Sequence, residues 1–439
     1  MIKTADRKTL NAWAIYDWAN SSYSLVITSA LFPIYFHSET TTEESNIVRF
    51  LGRNFNSDSL QNYSISLSFL VIAAISPILS SIADYSGNKK KFMYFFSTMG
   101  ALSCASLFLF TREYLWIGIL GSIFASLGYA GSIVFYNAFL PEIAAIEDQD
   151  KISARGFAMG YIGSSILLIF CLTMVLFPSF YGNIDGGLAA RLSFLLVGIW
   201  WFGFAQYTFK HLPSNIYNRK PEGRYLLNGY KELKKVWSEL QHTSRVKRFL
   251  ISFFFYNMGV QTVMYVATLF GKAELRLDST ILIAVILIIQ FVAIGGAYLF
   301  SSLSKRFGNL KALTIAILIW ILVCAGAFFC NKEYGVNEQT MFIELAAVVG
   351  LVMGGIQSLS RSTFSKLLPR TINHASYFSF YDVCDKMGTV LGLLVFGLIN
   401  EFTGSMRNSI IALAIFFVIG IIVLSSIKKT EATKGMVVQ

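Results

Sequence analysis

A chain of 439 residues with 55% hydrophobic and only 14% charged residues cannot clothe a soluble globule, and its mean hydropathy is +0.58; soluble proteins carry about 25% charge. The 39 Phe and 21 Tyr exclude a disordered chain, and long apolar runs without period-two alternation exclude a membrane β-barrel. The net charge of +11 lies mostly between those runs, which points to membrane loops and not to nucleic acid.

A membrane-crossing helix needs ~20 apolar residues. Twelve stretches qualify, at 12–37, 61–83, 92–110, 114–138, 154–177, 189–210, 248–270, 279–301, 311–330, 340–366, 376–400 and 407–427. The polar start leads into a first run too long for a cleavable signal peptide. Placing the N-terminus inside puts 27 of the 36 Lys and Arg residues on inner segments and eight outside, with Lys386 left inside a span. The inner set includes Lys220 and Arg224 in the central loop and Lys428, Lys429 and Lys434 at the end; the outer set includes Lys332. Both termini are therefore expected on the cytoplasmic side. Residues 211–247 form the longest internal connection, in which Leu226, Tyr230, Leu233, Trp237 and Leu240 recur every three or four residues. That pattern predicts an amphipathic helix lying on the inner membrane surface and held by lipid.

The chain repeats itself. Ser80–Lys90 (SSIADYSGNKK) after the second stretch returns as Ser301–Lys311 (SSLSKRFGNLK) after the eighth. Weaker echoes pair Tyr16-Asp17 with Tyr256-Asn257, and Gly160 to Gly163 with Asp385 to Gly388. The expected division is a six-helix half over 1–210, a cytoplasmic linker over 211–247 and a second half over 248–439, with substrate bound between the halves.

Charges inside a bilayer each cost at least ~2.5–3.5 kcal/mol, so they mark candidate sites. Asp17 opens a stripe with Ser21, Ser24 and Thr28 at +4, +7 and +11, one face of an α-helix. It is the first candidate for carrying a proton, with Asp385 second. Asn257, Gln261, Tyr265 and Thr268 form a neutral stripe in the seventh stretch. In the eleventh, Tyr381 and Asp385 are four apart, as are Asp382 and Lys386. The second pair can neutralise itself, which leaves Asp385 unpaired; alternatively Asp382 turns away and Lys386 holds a substrate carboxylate. Gln357 and Tyr136 join these as substrate-path candidates, whereas Arg361, near an inner end, is expected to snorkel to the interface. Gly156, Gly160 and Gly163 read as a helix-packing surface.

No phosphate-binding loop is present, the four histidines show no metal spacing, and no nucleophile–base set is visible. The five cysteines lie in apolar runs without disulfide or zinc spacing. An enzyme, a cofactor and a metal are therefore not expected.

Twelve spans in two halves, with a Gly-x-x-x-Asp-x-x-Gly-x-Lys-like loop at Ser80–Lys89, resemble the major facilitator superfamily; Ser80 replaces the first Gly and Asn88 a basic residue. Within it, six stretches resemble the "unknown major facilitator" family, related to the fungal vacuolar amino-acid effluxer of autophagy. They are Ala14–Tyr23 (AIYDWANSSY), Phe135–Glu142 (FYNAFLPE), Ser153–Tyr161 (SARGFAMGY), Tyr256–Thr262 (YNMGVQT), Gly354–Ser362 (GGIQSLSRS), and Phe378–Tyr381 (FSFY) with Lys386–Gly388 (KMG). Met258 stands where the family often has an acid, and Asp385 where a Gly usually precedes the Lys. The resemblance implies an all-α membrane protein with the major facilitator fold, working by alternating access on a small polar solute, amino acids first. Protons are the expected coupling ion because acids lie within the spans and no sodium-site pattern can be read. The resemblance also implies a cytoplasmic gate at Asp84, Gly87, Lys89 and Arg155, with Asp84 and Arg155 as the pair. A monomer in the inner or plasma membrane is expected. The rival readings are a transport-inactive receptor or scaffold, and a facilitator or exporter of sugars or drug-like solutes.

Overall fold

The computed structural model describes residues 3–42, 45–219, 225–331 and 337–427. Lys220, Arg224, Lys332, Lys428, Lys429, Lys434 and the side chain of Leu226, all used in the sequence reading, lie outside the described residues. The chain begins with one long helical run of α1 (Arg7–Ser22), a π-helical segment (Tyr23–Leu31) and α2 (Phe32–Thr40). A small hairpin follows, β1 (Ile47–Phe50) antiparallel to β2 (Arg53–Asn56) with Val48 opposite Phe55. Then come α3 (Ser57–Ser86), α4 (Lys89–Ser106), α5 (Leu115–Ile143), α6 (Gln149–Leu176) and α7 (Gly186–His211). After α8 (Tyr225–His242) the chain continues through α9 (Ser244–Ala273), α10 (Ser279–Phe307), α11 (Asn309–Phe329), α12 (Glu338–Leu367), α13 (His374–Thr403) and α14 (Met406–Ser425).

Among the described residues, ten helices are long and apolar enough to cross a membrane: α3 to α7, α9 to α12 and α14. Helices are the form this composition demands, because in lipid each backbone N–H and C=O must be satisfied within its own segment. Many ends are capped in the ordinary way; Asp6 accepts from Thr9 N at 2.9 Å, and Asp185 and Asn337 cap α7 and α12. The other two expected stretches are helical as well. One is the α1 run, whose winding changes at Tyr23; the other is α13, which carries Asp382, Asp385, Lys386 and Glu401.

The helices pack in two groups. In the first, α1 lies on α6 and α7, and α4 lies on α5 and α7. In the second, α9 lies on α13 and α14, and α11 lies on α12 and α14. Small residues set the closest approaches: a Cβ on Gly354 of α12 would strike the backbone oxygen of Ala293 in α10. The groups meet where α3 packs on α13 and α6 on α10, with further contact of α5 and α6 against α12 and α13. These two main seams correspond under a shift of six spans, as the sequence repeat implies.

The linker helix α8 docks on protein. Gly229 sits against Ile82 of α3, and Val236 and Leu240 are buried. Its polar face explains the docking: Asn228 bonds Tyr85 at 3.0 Å, Glu232 accepts from Asn373, and Glu239 accepts from Tyr377 at 3.1 Å. Among the described residues of the expected stripe, only Tyr230 and Trp237 remain exposed.

Candidate functional site: two buried charge clusters between the helix groups

Asp17 sits near the end of α1, 4% exposed, and reaches the other helix group. Its Oδ2 accepts from Arg361 Nη1 of α12 at 3.1 Å and from the Tyr136 hydroxyl of α5 at 2.7 Å. Arg361 is fully engaged. It donates to Ser153 Oγ at 2.9 Å, to Ser153 O at 2.8 Å and to Asn137 Oδ1 at 3.4 Å. Its guanidinium lies over the rings of Phe157, Trp13 and Tyr136, at 4.2, 4.7 and 5.4 Å. Stacking and a planar donor fork suit arginine to such a site, where lysine would be a poor substitute. Gly156 makes the close approach possible: a Cβ there would lie 2.6 Å from Asp17 Oδ2 and 2.9 Å from Arg361 Nη2. Arg361 therefore does not snorkel. It is 3% exposed and holds the seam between the groups.

The rest of the α1 stripe diverges. Ser21 faces Gly160 of α6, and Ser24 bonds back to the Ser21 carbonyl at 3.0 Å. Beyond Tyr23 the π-helical winding replaces the α-helical spacing that would align Thr28 with Asp17. Gln357 of α12 accepts from the Tyr161 hydroxyl at 2.8 Å, again across the seam.

The second cluster is on α13. Lys386 Nζ lies 2.6 Å from Asp385 Oδ2 and 3.7 Å from Asp382 Oδ1. The other oxygen of Asp385 accepts from Asn257 at 2.7 Å and Gln261 at 2.9 Å, both on α9. The expected assignment is thus inverted: Asp385 is the better paired acid. Lys386 prefers it because Asn257 and Gln261 hold its carboxylate in place. Asp382 Oδ2 is buried and has no partner among the described residues. Phe69 of α3 covers Lys386 at 5.4 Å. Tyr381 stacks between Phe253 at 4.1 Å and Phe364 at 5.0 Å. Tyr265 is 38% exposed, further along α9.

At the α8 end of the bundle the gate candidates separate. Asp84 accepts from Ser376 N at 2.7 Å, Ala375 N at 3.3 Å and Ser376 Oγ at 2.8 Å, so it caps the N-terminus of α13. Lys89, 4.0 Å from Asp84, pairs with Glu142, which also bonds His374 Nδ1 at 3.0 Å. Gly87 turns the chain at φ 69°, where an added Cβ would collide with Asn215. Arg155 is exposed and takes no part, so the expected Asp84–Arg155 pair is not formed. It sits on the outer side of α6, while its neighbours Ser153 and Gly156 face the seam. A second gate contact escaped the sequence reading: Asp150 accepts from Lys366 at 2.6 Å, Ser304 at 2.8 Å and Asn309 at 2.7 Å. An acid in the first turn of a helix after a short loop is its sequence signal. Among the described residues, the hydrogen bonds and ion pairs joining the two groups all lie in the part of the bundle nearer α8.

The profile of the family described as "Vacuole effluxer Atg22 like" matches residues 5–436. The chain belongs to that family. It is 33% identical over 97% of its length, and 96% of the relative's, to the uncharacterized MFS-type transporter YxiO of Bacillus subtilis. It is 26% identical to autophagy-related protein 22 of Kluyveromyces lactis, covering 94% of this chain and 92% of that one. Among solved structures, the proton:xylose symporter XylE matches with a TM-score of 0.71 at 13% identity, over 96% of this chain and 95% of XylE. The human organic anion transporter MFSD10 matches with 0.70 at 10% identity, over 95% and 99%. The Atg22-like chain is thus a multi-pass membrane protein with the major facilitator fold.

Proposed function

We propose that this protein is a secondary active transporter that moves a small polar solute by alternating access, with amino acids first among substrates and protons as the coupling ion. The observation that carries this reading is the pair of buried charge clusters, Asp17–Arg361 and Asp382–Asp385–Lys386, set where two helix groups meet. Ionic groups are costly at such a place, and in membrane proteins they mark solute and ion paths. The relative named as an MFS-type transporter and the family described as vacuole effluxer Atg22 like support the class; amino acids are favoured by the resemblance seen in the sequence.

In this reading the α1 run and α13 complete twelve spans, divided as 1–210 and 248–439 with 211–247 as linker. Both termini and α8 face the cytoplasm, in keeping with 27 basic residues against eight. The membrane is the inner or plasma membrane, and the protein works as a monomer. Polar links confined to the α8 side then describe a state closed inward, ready to receive solute from the opposite side. Rocking about the seams breaks Asp84–Ser376 and Asp150–Lys366 and opens the inner side. Asp17, Ser21, Ser24, Thr28, Tyr136, Asn257, Gln261, Tyr265, Gln357, Tyr381, Asp382, Asp385 and Lys386 line the path; Asp84, Gly87 and Lys89 form the gate.

The test is uptake of radiolabelled amino acids into proteoliposomes, with and without an inward proton gradient. Saturable uptake that needs Arg361 and rises with the gradient is the expected result. Protein-dependent flux of none of them, in either gradient, would overturn the substrate class and favour a receptor.

A further inference from the structure

We infer that Asp382 is the residue that binds and releases the transported proton. The inference rests on the proton-coupled reading above and assigns its chemistry to one side chain, in place of Asp17 and Asp385.

Charge counting separates the two clusters. Asp17 and Arg361 form one anion and one cation, joined at 3.1 Å, with Tyr136 donating to the same oxygen. That cluster is neutral as it stands. The α13 cluster holds two carboxyl groups and one ammonium, so full ionisation leaves one negative charge in excess. Asp382 is 3% exposed and Lys386 is 8% exposed, which leaves water little access to offset the excess. An unbalanced charge at such a depth is strongly disfavoured, and binding one proton removes it.

Geometry chooses the carboxyl. Both oxygens of Asp385 are occupied, one by Lys386 and the other by Asn257 and Gln261. All of these are donors, and donors hold a carboxylate in its ionised form. Asp382 has only the longer 3.7 Å contact from Lys386, and its Oδ2 has no partner among the described residues. Oδ2 is therefore the atom free to take the proton.

Among the described residues no neighbour supplies a second cation. On α13 itself the nearby titratable groups are Tyr381 and Cys384. Tyr129 of α5 and Tyr265 of α9 lie within electrostatic reach of Lys386 and Asp385, and Tyr256 of α9 bonds Ser360. Arg361 of α12 is committed to Asp17. Helix α3 offers the Phe69 ring here, with Asp84 placed nearer α8 at the start of α13. Arg407 of α14 is bound to Glu274 and Glu338, and Glu239 of α8 to Tyr377.

The step is a simple proton exchange. Water on the open side gives a proton to Asp382 Oδ2, leaving the cluster neutral. After the groups rock, Oδ2 returns it to water on the other side.

The proton itself is the probe in the first experiment. Full-length protein in nanodiscs of phosphatidylethanolamine and phosphatidylglycerol is followed by infrared spectroscopy as pH is varied. The wild type should show the C=O stretch of a buried protonated carboxyl that disappears at high pH. Asp382→Asn should lose that band, and Asp382→Glu should restore it at a shifted frequency. Asp17→Asn should keep it. Asp385→Asn should lose it too, because Lys386 then balances Asp382. A titrating band that survives Asp382→Asn, or none in the wild type, overturns the assignment, and a thermal melt of each variant checks folding. In proteoliposomes with radiolabelled amino acids, a gradient of about one pH unit should drive about tenfold accumulation if one proton accompanies each solute. Asp382→Asn should abolish that accumulation. Wild-type uptake indifferent to the gradient while the Asp382 band titrates would defeat proton coupling; gradient-driven uptake retained by Asp382→Asn would defeat the role of Asp382 alone.

Discussion

The two seams at the α8 end close in the same way with opposite chemistry. Where α3 meets α13, the acid comes from the repeated loop: Asp84 of the first group caps the start of α13. Where α10 meets α6, the matching position in the repeat is Lys305, which is exposed, and the acid sits on the other partner as Asp150 at the start of α6. Ser304 and Asn309 of the second repeat then act as donors toward it, with Lys366 of α12 adding the charge. In both seams a carboxylate lies at the beginning of the fifth helix of a group, where the helix dipole favours it. Duplication has kept the place of the negative charge and moved the residue that bears it. The seams also differ in cover, since among the described residues those of the linker reach only the first.

The largest effect should come from Asp84→Ala. Its side chain is fully buried and accepts three hydrogen bonds across the seam. Bonds to a charged group contribute about 1.5–3 kcal/mol each, and loss leaves two helix-terminal N–H groups without an acceptor. A shift of about 1.4 kcal/mol moves a conformational ratio tenfold, so the closed-to-open ratio should fall by at least about that factor. Spin labels at the exposed positions 91 and 370 report it as a longer distance between the groups at the α8 end. An unchanged distance distribution would mean that the α3–α13 seam does not hold the closed state.

Asp150→Ala should open the same end less, by about threefold to tenfold, equivalent to about 0.7–1.4 kcal/mol. The Lys366 side chain is 19% exposed, so the freed ammonium can turn to water, an outlet that Asp84's partners lack. The double variant sharpens the comparison. Additive shifts in the same spin-label measurement would mean two independent seams, whereas a strong coupling would mean one gate that opens as a unit.

How much of this could be read from the chain depended on distance in sequence. The helical stretches were legible because each is a local run of apolar residues, and all twelve fall on helices. The repeat was legible because five identical residues recur at the same spacing within one eleven-residue segment. What the sequence could not show was which charge meets which across the seam. Arg361 looked like a snorkelling residue because it lies six residues before the end of α12, yet Gly156 on a distant helix leaves the space that draws it inward. Asp382 looked neutralised by Lys386 on simple helical spacing, but Asn257 and Gln261 of α9 fix the rival acid instead. Asp84 was singled out by its motif, while its true partner was a helix terminus, which has no residue signature at all. The break at Tyr23 likewise left no mark in the α1 stripe.

The smallest effect concerns the linker that covers only the first seam. Arg219 donates to the Asp84 backbone oxygen at 2.5 Å on one side, and to Asn373 Oδ1 at 2.7 Å and the Ile372 oxygen at 3.3 Å on the other. It therefore ties α3 to the start of α13. Asn215 holds it there, accepting from the Arg219 N–H at 2.8 Å and donating to its carbonyl at 2.9 Å. Tyr217 lies beside the same seam, 3.4 Å from His374, where burial pushes its hydroxyl above its usual range and keeps it a donor. Arg219 is partly exposed, so water replaces much of what its removal takes away. Arg219→Gln should reduce the closed-to-open ratio about twofold to fivefold, equivalent to about 0.4–1 kcal/mol. Asn215→Ala should act in the same direction without touching a charge, because it frees the backbone that positions Arg219. Neither should add to Asp84→Ala in full, since Asp84 is the anchor on the α3 side; both should add to Asp150→Ala, which belongs to the other seam. The same pair of labels tests this, and full additivity with Asp84→Ala would show that the linker acts by a route separate from the first seam.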